Sequence, residues 1–134
     1  MRLILIISLF ISFGLGANEK LPVDQSLQLG KLKNGMKYIL RANKKPPGKV
    51  SIYLHVSSGS LDEEENQLGL AHFLEHMAFN GSENFAPGEL IKYFESIGLT
   101  FGMHQNAFTS FDQTTYSLDL PSADQETMDK GLLC

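Results

Sequence analysis

The sequence predicts an α+β fold with a mixed or antiparallel sheet and packed helices. Residues 50–56 alternate apolar and polar side chains with period two, which is typical of a half-buried strand. Residues 68–79 are apolar or glycine apart from His72, Glu75 and His76, which is typical of a buried helix. Residues 87–97 carry apolar residues at helical spacing. The predicted order is strand, strand, helix, helix, strand, strand, helix, which favours at least some antiparallel pairing.

The first half begins with a predicted leader, residues 17–30, in which Pro22 limits regular structure. Asn34-Gly35 indicates a turn before a short strand at 36–40. In the strand at 50–56, His55 falls on the polar face, and we interpret it as a surface or cross-strand histidine. The acidic run at 62–65 is interpreted as a solvated loop.

The second half begins after Asn80-Gly81, which indicates the end of the first helix. The second helix is predicted to pack through its apolar face. Strands are predicted at 99–103 and 114–120, joined by a polar stretch at 104–113. Ser122 with Gln125 is typical of a capping box that starts a last helix.

The composition excludes some partners. The 134 residues include 11 Lys and Arg against 15 Asp and Glu, with no dense basic stripe, so nucleic acid is not an expected partner. Cys134 is the single cysteine and the last residue, so no disulfide is expected within the chain. The predicted order of strands and helices stops within a helix, and we therefore expect residues 17–134 to be a piece of a larger domain.

Residues 1–16 are predicted to be a secretory signal peptide. Arg2 supplies a positive start, residues 3–15 are largely apolar, and Gly14-Leu15-Gly16 ends in small residues. The alternative is an uncleaved anchor, but about 13 apolar residues fall short of the roughly 20 that span a bilayer. We therefore expect an exported protein without stable membrane insertion after cleavage, in the bacterial periplasm first and secreted as the alternative.

His72, Glu75 and His76 interrupt the otherwise apolar first helix. At about 100° per residue, the histidines lie about 40° apart and Glu75 lies within about 60° of His72. Two imidazoles one turn apart can bind one Zn²⁺, and a carboxylate beside them can accept a proton from water, which is the chemistry of a zinc peptidase. The alternatives are hydrogen-bonded core histidines, a Glu–His electrostatic pair, or a solvated interface.

Several stretches together resemble the pitrilysin or insulin-degrading enzyme family, the inverzincins. They are GLAHFLEHMAFNGSENF from residue 69, FGMHQNAFTSFDQTTYSLDLP from residue 101, and the sequences KLKNGMKYIL, VSIYLHVSSGS and PGELIKYFESIG. The resemblance covers about residues 28–133 and is greatest to exported bacterial zinc proteases. It implies the N-terminal part of a pitrilysin-like metallopeptidase domain acting on a peptide or protein substrate.

The resemblance also implies roles for individual residues. His72 and His76 would bind zinc, Glu75 would be the general base, and Asn106 with Ala107 would hold the substrate backbone on a strand edge. Without the resemblance, Asn106 is interpreted as a loop-capping asparagine. His104 receives no role. The family's third zinc ligand, a glutamate roughly 75 to 80 residues after the second histidine, would fall beyond Cys134.

Two further hypotheses remain beside the peptidase. Because the third ligand and the family's C-terminal part are expected beyond Cys134, this chain alone is expected to bind zinc weakly and to lack peptidase activity. A non-catalytic module could use the same strand edge to bind peptides without cleaving them. A non-functional gene remnant would misfold instead.

Overall fold

A computed structural model describes residues 22–100 and 102–133 of the protein. The predicted signal peptide, residues 1–16, lies outside the described residues. Within the described ranges, no helix is long and apolar enough to cross a membrane. The described residues fall into two compact units, divided between Ala42 and Asn43.

The described part of the first unit is a hairpin of β1 (Leu27–Lys31) and β2 (Lys37–Arg41), which pair antiparallel. The predicted turn is confirmed: the side chain of Asn34 accepts a hydrogen bond from the main-chain N–H of Met36 at 3.0 Å. Gly35 has φ of 94°, which glycine adopts without steric cost. The prediction of an irregular leader up to residue 30 is wrong, because the turn brings residues 27–31 against β2.

The second unit is built on a three-stranded antiparallel sheet. Its strands are β3 (Val50–Val56), β4 (Gln105–Thr109) and β5 (Thr114–Leu120), in the spatial order β3-β5-β4. The predicted α+β class with antiparallel pairing is confirmed.

The predicted strand at 99–103 is wrong. Leu99 and Thr100 are irregular and residues 102–104 form a turn, whereas β4 lies within the stretch predicted to be a polar connection. Leu99 is buried in the core, so its apolar character reflects packing instead of a strand. Backbone pairing with β5 determines where β4 lies.

The described residues also form three α-helices of eight residues each: α1 (Leu70–Met77) and α2 (Glu89–Ser96) lie between β3 and β4 in sequence, and α3 (Gln125–Leu132) follows β5. The last helix is confirmed, but its predicted cap is wrong. Asp124 is the N-cap, and its carboxylate accepts from the N–H of Thr127 at 2.9 Å. Ser122 instead accepts from the N–H of Asp124 at 3.2 Å.

The hydrophobic core lies between α2, the segments flanking it, and the sheet. Its buried members are Phe85, Leu90, Phe94, Leu99, Leu118 and Leu120. The packing role predicted for α2 is confirmed. Helix α3 also approaches β5 closely, because a Cβ added at Gly131 would lie 2.8 Å from Leu120 Cδ1.

Candidate metal centre

Helix α1 brings two of the predicted site residues together. His72 and His76 are separated by one turn, and their Nε2 atoms lie 3.1 Å apart. The rings meet edge to face, with centroids 4.6 Å apart and an interplanar angle of 65°. Both side chains are exposed, so the nitrogen pair is open to solvent.

The spacing of the two nitrogens fits a shared metal ion. Two nitrogens that each lie about 2.0–2.1 Å from one tetrahedral Zn²⁺ are separated by roughly 3.3 Å. The 3.1 Å between His72 Nε2 and His76 Nε2 is close to that value, and it also suits an N–H···N hydrogen bond. Among the described residues, no cluster of three or more His, Cys, Asp or Glu side chains could hold a metal.

Glu75 is the buried residue of α1, with 7% of its surface exposed. Its Oε2 accepts a hydrogen bond of 2.6 Å from the Thr109 hydroxyl on β4. A buried carboxylate is costly unless it is paired, so this bond offsets the penalty. Glu75 therefore differs from the two histidines beside it: they face solvent, and it is held against the sheet.

The pKa of Tyr116 on β5 depends on its burial and on the charge of Glu75. Burial raises the pKa of the Tyr116 phenol, and the negative charge of Glu75 raises it further. Both causes favour the neutral phenol. The surroundings of Glu75 therefore include a neutral aromatic residue as well as the Thr109 hydroxyl.

The start of α1 is fixed by Glu63, to which no sequence pattern assigns a role. The N-cap, Gly69, has φ of 88° and no side chain to offer. Both carboxylate oxygens of Glu63 take over this role, accepting from the N–H groups of Gly69 and Ala71 at 2.8 Å each. The acidic run is therefore not uniformly solvated, because Glu63 is half-buried and caps the helix.

The segment before α1 is also fixed to the hairpin between β4 and β5. The N–H groups of Ser60 and Leu61 donate to the carbonyls of Ser110 and Phe111, at 3.1 and 2.8 Å. A Cβ at Gly59 would overlap the carbonyl oxygen of Ser110, so only glycine fits this approach. Helix α1 is thus positioned relative to β4 at its beginning as well as through Glu75.

Strand β4 carries Asn106 and Ala107 at one edge of the described sheet. The N–H of Ser110 donates to Gln113 and that of Asp119 donates to His104. Antiparallel pairs alternate between hydrogen-bonded and non-bonded, so these two bonds define the phase of the ladder. By this alternation, the main-chain groups of residues 105, 107 and 109 face away from β5.

The two predicted substrate-binding residues differ in their contacts. The outward N–H of Ala107 donates to the side-chain oxygen of Asn106 at 2.9 Å. The main-chain oxygen of Asn106 faces β5, where it accepts from the Ser117 hydroxyl at 3.2 Å. Ala107 therefore offers edge backbone groups, and Asn106 occupies one of them with its side chain.

The remaining two histidines lie in other settings. His55 Nδ1 lies 3.4 Å from the Thr115 hydroxyl of the neighbouring strand, so the cross-strand interpretation is confirmed. His104 Nδ1 accepts from the N–H of Thr100 at 3.1 Å within a turn.

The sequence of this chain matches a known protein family. A family model described as Insulinase (Peptidase family M16) matches residues 38–130. The chain belongs to peptidase family M16. The resemblance to the pitrilysin and insulin-degrading enzyme family is therefore confirmed.

Individual relatives agree with this assignment. The probable zinc protease PqqL of Escherichia coli (strain K12) is 43% identical over 108 residues, which are 81% of this chain and 12% of that protein. The probable zinc protease PqqL of Haemophilus influenzae is 41% identical, over 88% of this chain and 13% of that protein. The chain therefore spans about an eighth of the length of these curated relatives.

The fold of this chain is also similar to that of a solved protease structure. The crystal structure of the first half of the periplasmic protease PqqL from Escherichia coli superposes with a TM-score of 0.78 and 41% identity, over 84% of this chain and 24% of that chain. The described fold thus corresponds to part of a family M16 protease.

Proposed function

We propose that this chain supplies the metal-binding and proton-accepting residues of a zinc-dependent peptidase that cleaves peptide or protein substrates. One observation carries the proposal: His72 and His76 place their Nε2 atoms 3.1 Å apart on the helix that also buries Glu75. The named relatives are described as probable zinc proteases, which agrees with this chemistry.

His72 and His76 would hold the zinc ion through their Nε2 atoms. When bound, zinc supplies Lewis acidity that polarises a peptide carbonyl and makes water a better nucleophile at neutral pH. Two protein ligands hold zinc more weakly than the three or four of complete sites. We therefore expect exchangeable zinc, and no peptidase activity, from the described ligands alone.

Glu75 would act as the general base. Its Oε2 is held by Thr109, and its Oε1 has no hydrogen-bond partner among the described residues. No described buried side-chain oxygen or nitrogen lacks a partner, so Oε1 retains contact with solvent. Oε1 can accept a proton from the attacking water and pass it to the leaving amine, without a covalent enzyme intermediate.

Strand β4 would hold the peptide. An extended peptide can pair with an open sheet edge through main-chain hydrogen bonds, and Ala107 faces outward at that edge. The Asn106 side chain accepts from the same Ala107 N–H that a peptide carbonyl would use. Peptide binding would therefore exchange the Asn106 contact for one with substrate.

We also propose that the protein acts in the periplasm. The superposed relative is described as a periplasmic protease, and residues 1–16 have the composition of a signal peptide. N-terminal sequencing of the exported protein tests this. Recovery of the protein only from the cytoplasmic fraction, with Met1 still in place, would contradict it.

A zinc titration followed by NMR of ¹⁵N-histidine tests the metal site on the 134-residue chain. The imidazole signals of His72 and His76 should move together with added Zn²⁺, whereas those of His55 and His104 should not. His72→Gln or His76→Gln should weaken binding by about tenfold or more, because the chelate becomes a single ligand. Equal responses from all four histidines would contradict the site.

The open edge of β4 also supports the non-catalytic alternative, a peptide-binding module. The two functions differ in their dependence on metal. Binding of an extended peptide that EDTA leaves unchanged, in a chain whose histidines ignore Zn²⁺, would favour the module. A cooperative thermal transition of the purified chain would argue against a misfolded gene remnant.

A further inference from the structure

Thr109 occupies an unusual place between the two halves of the proposed site. Its hydroxyl contacts the buried Glu75 on α1, and its main chain is part of the open edge of β4. The two residues are 34 positions apart in sequence. A single residue therefore contacts the proposed base with its side chain and carries edge backbone groups.

We propose that Thr109 is a positioning residue that orients the Glu75 carboxylate and links it to the peptide-binding edge; this inference rests on the proposed function. The hydroxyl donates to Oε2 at 2.6 Å, a short charge-assisted bond. Fixing one oxygen fixes the plane of the carboxylate. Oε1 is thereby directed and remains free to take a proton.

Strand geometry gives Thr109 its second contact. Ala107 and Thr109 are two residues apart, so their side chains lie on the same face of β4. Their main-chain groups both face the open edge, because the hydrogen-bonded pairs of the ladder involve the even-numbered residues of this strand. A peptide paired along the edge would thus contact the backbone of the residue that holds the base.

The stiffness of the side chain suits this role. Threonine is β-branched and has restricted χ1 freedom, so its hydroxyl is held in place by the strand. Serine would keep the donor with more rotamer freedom, and valine would keep the shape without the donor. Thr109→Ser and Thr109→Val therefore separate hydrogen bonding from packing.

A thermodynamic cycle on the 134-residue chain tests the contact. Thr109→Val should lower the melting temperature by on the order of 5–10 °C, because it leaves the buried Glu75 without its donor. In a Glu75→Leu background, the same substitution should change the melting temperature by less than about 2 °C, since no carboxylate remains. Thr115→Val on β5 is the matched control and should behave alike in both backgrounds.

A spectroscopic readout reports the orientation itself. The ¹³C resonance of the Glu75 carboxyl carbon, assigned by its loss in Glu75→Gln, should shift in Thr109→Val and return near its original position in Thr109→Ser. Thr109→Val should leave the response of the His72 and His76 signals to Zn²⁺ unchanged. A role in strand packing alone would not give this pattern.

Each outcome bears on the inference. If Thr109→Val is equally costly with and without Glu75, or if both of those chains fail to fold, Thr109 serves packing and the inference is wrong. If the Thr109→Val chain unfolds and the double variant folds, the inference is supported. Loss of the zinc response in the unmodified chain would instead remove the proposed function and leave the cycle interpretable.

Discussion

Helices α1 and α2 have the same length and the same kind of start, but they bury opposite kinds of side chain. Each has eight residues and follows a glycine with positive φ. Helix α2 buries Leu90 and Phe94 in the core. Helix α1 buries Glu75 and leaves Phe73 and Leu74 56% and 57% exposed.

The difference in buried side chains shows that the two helices have different roles. Burial of apolar area stabilises the fold at about 25 cal/mol per Å², and α2 provides that burial. Burial of a carboxylate costs free energy unless it is hydrogen-bonded, and α1 meets this cost through Thr109. Helix α1 therefore holds an acid in place where α2 holds the core together.

The largest expected effect comes from exchanging a phenylalanine for alanine in each helix. Phe94→Ala should lower the free energy of unfolding by about 3–5 kcal/mol, because it leaves a cavity in the core. Phe73→Ala should cost less than about 1 kcal/mol, since that side chain is largely exposed. Urea denaturation of both variants measures the contrast, and equal costs would contradict it.

The stability of the start of α1 should depend on Glu63, a residue outside the helix. Glu63→Ala removes the carboxylate that accepts from Gly69 and Ala71, and should cost about 1–2 kcal/mol. Glu65→Ala is the matched control, because Glu65 is exposed, and it should change stability by less than about 0.5 kcal/mol. Thermal unfolding of both chains provides the measurement. Indistinguishable variants would show that Glu63 does not stabilise the helix.

Helix α3 extends the comparison, because its cap is local. Hydrogen bonds from Ser122 and Thr127 hold the pKa of Asp124 at about 2, below its ordinary value of 3.8. A lowered folded-state pKa stabilises the fold above pH 3.8, and this contribution is lost as pH falls towards 2. Asp124→Ala should lower the melting temperature by a few degrees at neutral pH.

The difference between Asp124→Ala and the unmodified chain should narrow as pH falls from 3.8 towards 2, because the native carboxylate becomes protonated there. Asp112→Ala, at an exposed position in the β4–β5 turn, is the control substitution. A melting-temperature difference independent of pH across that range would contradict the charged cap.

The smallest expected effect reports the charge of Glu75. Glu75→Gln should lower the pKa of Tyr116 towards its ordinary value, because it removes the negative charge that opposes the phenolate. The pKa should stay raised, since burial is the larger cause. NMR titration of ¹³C-tyrosine measures it, with the exposed Tyr53 as internal reference. An unchanged Tyr116 pKa would show that the charge of Glu75 does not act on Tyr116.

Much of the fold could be predicted because local patterns determine it. The alternation at 50–56, the apolar spacing in α2 and the Asn34-Gly35 turn each encode their own element. Strands β1 and β4 could not be predicted in this way. Both are paired strands whose positions follow from a partner, and β4 contains mostly polar residues.

The candidate site was predictable along one helix and not across the fold. The pattern of His72, Glu75 and His76 is local, so helical spacing alone placed the three residues together. Thr109 contacts Glu75 across 34 residues, and Glu63 caps α1 from six and eight residues away. Neither contact has a local sequence signal, since each depends on how α1 is placed by the fold.

The Asn106 side chain covers one main-chain hydrogen-bond donor at the edge of the described sheet. Unpaired donors along a strand invite adhesion to other chains, which leads to aggregation. The Asn106 amide oxygen accepts a hydrogen bond from the Ala107 N–H, so this donor is not available to an unspecific partner chain. An incoming strand has to displace the Asn106 oxygen from the Ala107 N–H before it can pair there. Brief unspecific contacts are therefore disfavoured, whereas a well-matched extended chain can still bind.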